Sequence, residues 1–60
     1  MGTEDEVLRL LSAHRGSTTR TLRWLAGADG QTVRSILLNL ERAGRVVGVR
    51  QGRKIRWYPL

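Results

Sequence analysis

The feature that most constrains the fold is an apolar stripe at helical spacing that gives way, after a glycine, to a β-branched run. Over residues 33–43 apolar side chains recur every three or four positions, and Gly44 follows them. This period predicts an amphipathic helix that buries one face, and glycine often takes the left-handed position at a helix end. Residues 46–49 are Val-Val-Gly-Val, so we expect a strand directly after the helix.

A second strand candidate makes the C-terminal part of the chain a hairpin. Residues 55–58 are Ile-Arg-Trp-Tyr, and a Gln-Gly turn at 51–52 separates them from the first strand. Pro59 has no amide hydrogen, so it belongs at a strand end or on an edge strand. Because successive side chains of a strand point to opposite faces, Trp57 and Tyr58 cannot both enter the core.

Two shorter helices precede the long one. Val7, Leu10 and Leu11 form a stripe behind an acidic first turn. The polar junction at residues 17–19 provides an N-cap for a second helix, and Asp29 is placed to cap the third. We therefore expect one α+β domain over residues 1–60, with helix 1 at about 4–14, helix 2 at about 19–27, helix 3 at about 30–43, a hairpin at about 45–60 and a short third strand near 16–18 as a further candidate.

The positive charge of the chain is gathered in its second half. The formal net charge is +6, with 11 Lys and Arg against 5 Asp and Glu. Residues 1–30 carry four cations and four acids, whereas residues 31–60 carry seven cations and the single acid Glu41. A surface that only contacts water does not need this segregation of charge, but a clustered positive surface binds a polyanionic partner more strongly. The charge pattern therefore favours nucleic acid as a partner.

No set of residues in the sequence predicts covalent chemistry. The chain has no cysteine, and its single histidine, His14, cannot build a metal site alone. A nucleophile with its base and a phosphate-cradling glycine loop are also missing from the sequence. We expect no enzyme, no catalytic residue, no metal, no cofactor and no small-molecule ligand. The acidic N-terminus and the lack of a long apolar run favour a cytoplasmic chain with no membrane contact.

The order of the elements and several short patterns resemble the winged helix-turn-helix regulators, the broad group that includes MarR-, ArsR- and GntR-like DNA-binding domains. Thr32-Val33, Leu40-Glu41 and Gly44 are similar to the recognition helix of that group, and the Arg-Gln-Gly-Arg of residues 50–53 is similar to its wing. The resemblance covers about residues 4–60 and identifies no subfamily. It implies three helices and a C-terminal two-stranded β-hairpin wing, with Tyr58 and Leu60 facing the core and Trp57 exposed.

The resemblance further implies duplex DNA binding, by a small transcriptional regulator or by the DNA-binding module of one. Helix 3 would lie in the major groove, and the basic wing would contact phosphates. The candidates for reading bases are Gln31, Thr32, Arg34, Ser35 and Asn39. The candidates for contacting phosphates are Arg42, Arg50, Arg53, Lys54 and Arg56. Such a chain would be nucleoid-associated when bound to DNA, as a homodimer or in a larger protein assembly.

Two other functions stay open on the sequence alone. A winged helix can serve as a protein–protein adaptor, for which Trp24, Leu38 and Trp57 are the candidate apolar contacts. The same basic surface also suits RNA binding. Competition among duplex DNA, duplex RNA and single strands at one salt concentration separates these functions, because the three ligands differ in groove shape and stacking.

Overall fold

The computed structural model describes residues 3–60 and has an α+β fold. The elements in chain order are α1 (Thr3–Ala13), β1 (Ser17–Thr18), α2 (Thr19–Ala26), α3 (Gly30–Arg42), β2 (Val46–Gln51) and β3 (Lys54–Pro59). The predicted fold class is confirmed: three helices precede a β-hairpin, and the third strand candidate is present as β1.

Two side-chain caps fix the starts of α2 and α3. Thr18 Oγ1 accepts a hydrogen bond of 3.3 Å from the amide of Thr21, and Asp29 Oδ1 accepts one of 2.8 Å from the amide of Thr32. Each bond satisfies an amide that has no partner within its helix. Between these helices Gly27 adopts φ 65°, a left-handed conformation that ends α2 and turns the chain toward α3.

The three strands form one antiparallel sheet in the order β1-β3-β2. The central strand is β3, so Trp57 pairs with Ser17 on one side and with Gly48 on the other. Directly opposite residues lie on the same face of a sheet, and so do residues two positions apart. The hairpin turn passes through Gly52, whose φ is 60°.

The core lies between the three helices and one face of the sheet. Its buried side chains are Val7, Leu11, Leu22, Val33, Ile36, Leu37, Leu40, Val46 and Trp57. Burying a large aliphatic or aromatic side chain contributes about 1.5–3 kcal/mol, and the described chain has no disulfide to add to this. A domain of this size therefore depends on each of these residues.

The orientation of β3 differs from the prediction. Trp57 is 4% exposed and belongs to the core, whereas Tyr58 is half-buried and Leu60 is 78% exposed, so the prediction of Tyr58 and Leu60 inward was wrong. The reason lies in the partner strand. Trp57 is opposite Gly48, which leaves room for the indole, and the indole Nε1 donates to Thr19 Oγ1 at 3.0 Å. Because its side chain is buried, Trp57 is also not available as an apolar contact for a protein partner, as the adaptor alternative required.

Candidate nucleic-acid interface

An open groove runs between α3, the start of α2 and one face of the β2–β3 hairpin. The residues that line it are Thr18, Thr19, Arg20, Thr21, Arg34, Leu38, Glu41, Gly48, Arg50, Arg53, Lys54, Ile55 and Trp57. These residues come from all three strands, from α2 and α3, and from the hairpin turn, so they become neighbours only when the chain folds. We call this surface the basic groove.

The wall of the basic groove on α3 consists of Arg34, Leu38 and Glu41. Their spacing of four and three residues puts them on one side of the helix, away from the core stripe. All three side chains are exposed. The same helix thus presents one face to the core and another to the groove.

The opposite wall is formed by the hairpin. Arg50 pairs with Ile55, and Gly48 pairs with Trp57, so the four residues share one face of the sheet. Arg53 lies in the turn and Lys54 begins β3. The turn places both cations at the rim of the groove, where they are exposed to solvent.

The groove carries five cations and one acid. The cations are Arg20, Arg34, Arg50, Arg53 and Lys54, and all of them are exposed. The acid, Glu41, accepts a hydrogen bond of 3.3 Å at Oε2 from the amide of Gly48. Glu41 thereby connects α3 to β2 and helps to set the distance between the walls. The positive first turn of α2 lies at the same place, which adds to the attraction for an anion.

The predicted phosphate contacts fall into three groups. Arg50, Arg53 and Lys54 line the basic groove, and Arg42 is exposed at the end of α3 outside it. Arg56 is engaged within the protein: its Nε donates to Gln51 Oε1 at 2.8 Å, and its Nη1 donates to the carbonyl of Gly16 at 2.9 Å. The guanidinium of Arg56 therefore links the hairpin to the segment after α1.

The predicted base-reading residues all lie on the exposed side of α3, but they are not equivalent. Arg34 faces the basic groove, while Gln31, Ser35 and Asn39 are exposed outside its lining. Thr32 is exposed as well, yet its hydroxyl donates to Asp29 Oδ2 at 2.9 Å. The hydroxyl proton of Thr32 is thus already used in the hydrogen bond to the capping residue Asp29.

The hydrogen bonds at the start of α3 change the pKa of the Asp29 carboxylate. The hydrogen bond from the Thr32 amide, together with that from its hydroxyl, lowers the pKa of Asp29 below its ordinary value. Both donors favour the charged form. The cap of α3 is therefore charged at neutral pH, close to the positive end of the helix dipole.

Sequence reasoning missed Arg20. This residue was counted in the neutral half of the chain, but α2 places it in the groove beside the α3 and hairpin cations. The signal was present in Thr18, the N-cap two residues earlier, because the first turn after a cap is a common place for anions. Charge summed along the sequence does not show which elements meet in space.

Over residues 3–60, none of the helices is both long and apolar enough to cross a membrane. Within the same residues, no group of three His, Cys, Asp or Glu side chains is arranged to hold a metal ion.

The fold is shared with a solved structure. The PcaV transcriptional regulator from Streptomyces coelicolor, crystallised in complex with its natural ligand, matches 100% of this chain with a TM-score of 0.94 and 27% sequence identity. The chain is a winged helix-turn-helix domain. In this winged helix domain α2 and α3 form the helix-turn-helix unit, and the β2–β3 hairpin is the wing.

The winged helix domain spans 45% of the PcaV chain, so it matches less than half of that protein. No protein-family model matches the sequence, and a search of curated proteins finds no relative. The identification therefore rests on the three-dimensional fold, with the sequence identity in support.

Proposed function

We propose that the domain binds duplex DNA as the DNA-binding part of a transcriptional regulator, with α3 in the major groove and the wing on phosphates. The observation that carries the proposal is the basic groove, where cations from α2, α3 and the wing face one space. Like charges gathered in this way repel one another, and a row of phosphates reverses that repulsion. The similarity to a transcriptional regulator supports the same conclusion.

In this proposal the N-terminal part of α3 reads bases. The second helix of a helix-turn-helix unit enters the major groove with its first turns nearest the base edges. Arg34 is assigned to the O6 and N7 atoms of guanine, Gln31 to adenine, and Ser35 to either a base or a phosphate. Asn39 lies farther along the helix and Thr32 is held by Asp29, so both have smaller roles.

Phosphate contacts are assigned to cations on both sides of the groove. Arg50, Arg53 and Lys54 act from the wing, Arg42 acts from the end of α3, and Arg20 joins them from α2. Arg56 has a different role, because its hydrogen bonds to Gln51 and Gly16 hold the wing in position. No residue is assigned a covalent step, and we infer that the domain is not an enzyme.

We also propose that tight binding requires a second copy of the domain or a larger assembly. One short recognition helix and one wing offer a small contact, and specific complexes commonly pair two half-sites about one helical turn apart. The 45% coverage of PcaV is compatible with a regulator that contains more than this domain.

The salt dependence of binding tests the proposal. Fluorescence anisotropy with a labelled random-sequence duplex measures affinity at 50 and 200 mM salt. Binding that neutralises about four to six phosphates releases the counterions bound to the DNA, and this release is less favourable at higher salt. The affinity should therefore fall by roughly two to three decades between the two salt concentrations. Affinity that is independent of salt, or no binding at low salt, contradicts the proposal.

A further inference from the structure

The basic groove is not uniformly polar, because two apolar side chains lie between its cations. Leu38 is 43% exposed and Ile55 is 37% exposed, and both line the groove. Single exposed aliphatic residues are common on protein surfaces. These two come from different elements, α3 and β3, yet they face the same space beside the indole of Trp57. We call Leu38 and Ile55 the groove floor.

The groove floor is kept open by a glycine. A Cβ at residue 48 would lie 2.9 Å from Cζ3 of Trp57 and 3.0 Å from Cγ2 of Ile55. Any other residue at this position would therefore push against the floor. Gly48 also donates its amide to Glu41, so the backbone at this point is held toward α3.

Each apolar member of the floor lies next to a cation. Leu38 is one helical turn from Arg34, and Ile55 is paired with Arg50 and follows Lys54. The surface thus alternates positive charge with hydrocarbon over a short distance. A nucleic-acid strand has the complementary pattern, since charged phosphates alternate with sugars.

The sugar is where DNA and RNA differ. The 2′ carbon of deoxyribose carries only hydrogen, whereas ribose carries a hydroxyl that both donates and accepts hydrogen bonds. A hydroxyl pressed against Leu38 or Ile55 would lose its water without gaining a partner, and this loss is unfavourable. We propose, on the basis of the proposed DNA binding, that the groove floor packs on deoxyribose carbons of one strand and selects DNA over RNA.

The test compares floor variants with matched controls. The double variant Leu38→Gln/Ile55→Thr makes the floor polar and leaves every groove cation in place. Its control is Leu25→Gln/Val49→Thr, which changes residues that are 42% and 43% exposed but do not line the groove. Circular dichroism confirms that both variants are folded. Affinity is then measured for duplex DNA and for duplex RNA of the same sequence at one low salt concentration.

The wild-type protein and the control should prefer DNA to the same extent. The floor variant should lose DNA affinity and reduce the ratio of DNA to RNA affinity by about fivefold or more, because its new polar groups tolerate the ribose hydroxyl. Its salt slope should stay unchanged, since the cations are intact. This combination separates sugar contact from phosphate contact.

Three results would overturn the inference: an unchanged DNA-to-RNA ratio in the floor variant, an equal change in the control, or wild-type protein that binds both duplexes alike. If the groove floor instead bound an acidic peptide with an apolar side chain, the floor variant would bind DNA as the wild-type protein does. Its DNA-to-RNA ratio would then be unchanged, which is the first of these results. If the wild-type protein binds no DNA or binds without salt dependence, the proposed function itself fails.

Discussion

The indole Nε1 of Trp57 donates a hydrogen bond of 3.0 Å to Oγ1 of Thr19, and this bond joins β3, the central strand of the sheet, to the first turn of α2. Trp57 is 4% exposed, so the donor has exchanged water for a single protein partner. Arg20 follows Thr19 directly, and both line the basic groove. The pair thus fixes the wing relative to the helix-turn-helix unit at the point where DNA is proposed to bind.

Breaking this pair should destabilise the fold. Thr19→Val keeps the shape of the side chain but removes the acceptor, so the free energy of unfolding should fall by about 1–3 kcal/mol as the indole N–H is left unpaired. Trp57→Phe removes the donor together with part of the packing. Urea denaturation of both single variants and the double variant gives the coupling energy, which should be about 0.5–1.5 kcal/mol. Strictly additive effects would show that the bond has no energetic role.

Gly48 should not tolerate a side chain. Gly-to-Ala changes in a strand usually stabilise a protein through the unfolded state. Here a Cβ would lie 2.9 Å from the Trp57 ring, so Gly48→Ala should lower the free energy of unfolding by about 1–3 kcal/mol. The neighbouring exposed change Val49→Thr serves as control and should stay within about 0.5 kcal/mol. Thermal or urea unfolding measures both, and a stabilised Gly48→Ala variant would contradict the described packing of the wing.

Asp29 should make the stability of the domain depend on pH in the acid range. Its pKa is lowered in the folded state by the two hydrogen bonds from Thr32. The stabilisation is therefore present above the ordinary pKa of about 4 and is lost as the pH falls through the folded-state pKa. Asp29→Asn should remove this dependence while keeping a cap. Urea midpoints from about pH 6 to 2 measure it, and an identical pH profile in both proteins would refute the role of the carboxylate.

Arg34 and Arg53 should affect DNA binding in different ways. Arg34→Ala should reduce discrimination among sequences by about 1–3 kcal/mol at one base pair, because arginine reads guanine with two hydrogen bonds. Arg53→Ala should weaken binding to all duplexes alike and reduce the salt slope by about one. Affinities for a set of duplexes at several salt concentrations distinguish these outcomes. Equal loss on every sequence for both variants would remove the separation of roles.

The order of the elements was predictable from local signals. The change from helical spacing to a β-branched run after Gly44 marked the step from α3 to the wing, and Asp29 and Thr18 marked helix starts. These signals depend on a few neighbouring residues. Such signals can be recognised in the sequence without knowledge of the fold, and they predicted the winged helix fold that the structure confirms.

The details of the site depended on contacts between distant residues. Gly48 on the partner strand determines which face of β3 enters the core. The sequence of β3 alone did not show that Trp57, and not Tyr58, would be buried. Arg56 looked like a free wing cation, but its partner Gly16 lies 40 positions away in the chain. Arg20 has a local signal in the Thr18 N-cap, but the groove cations that it meets on α3 and the wing are also distant in the chain. Such meetings of distant residues are properties of the fold, and no local pattern predicts them.

The most direct test of the proposed interface is a heteronuclear NMR titration with a random-sequence DNA duplex at low salt. The proposed function predicts shifts of backbone amides in three places at once: the first turn of α2 around Arg20, the exposed side of α3 around Arg34, and the wing from Arg50 to Lys54. Amides of α1 should move little. Shifts confined to the surroundings of Trp24, or no shifts in the wing, would contradict a DNA-binding surface built from all three elements.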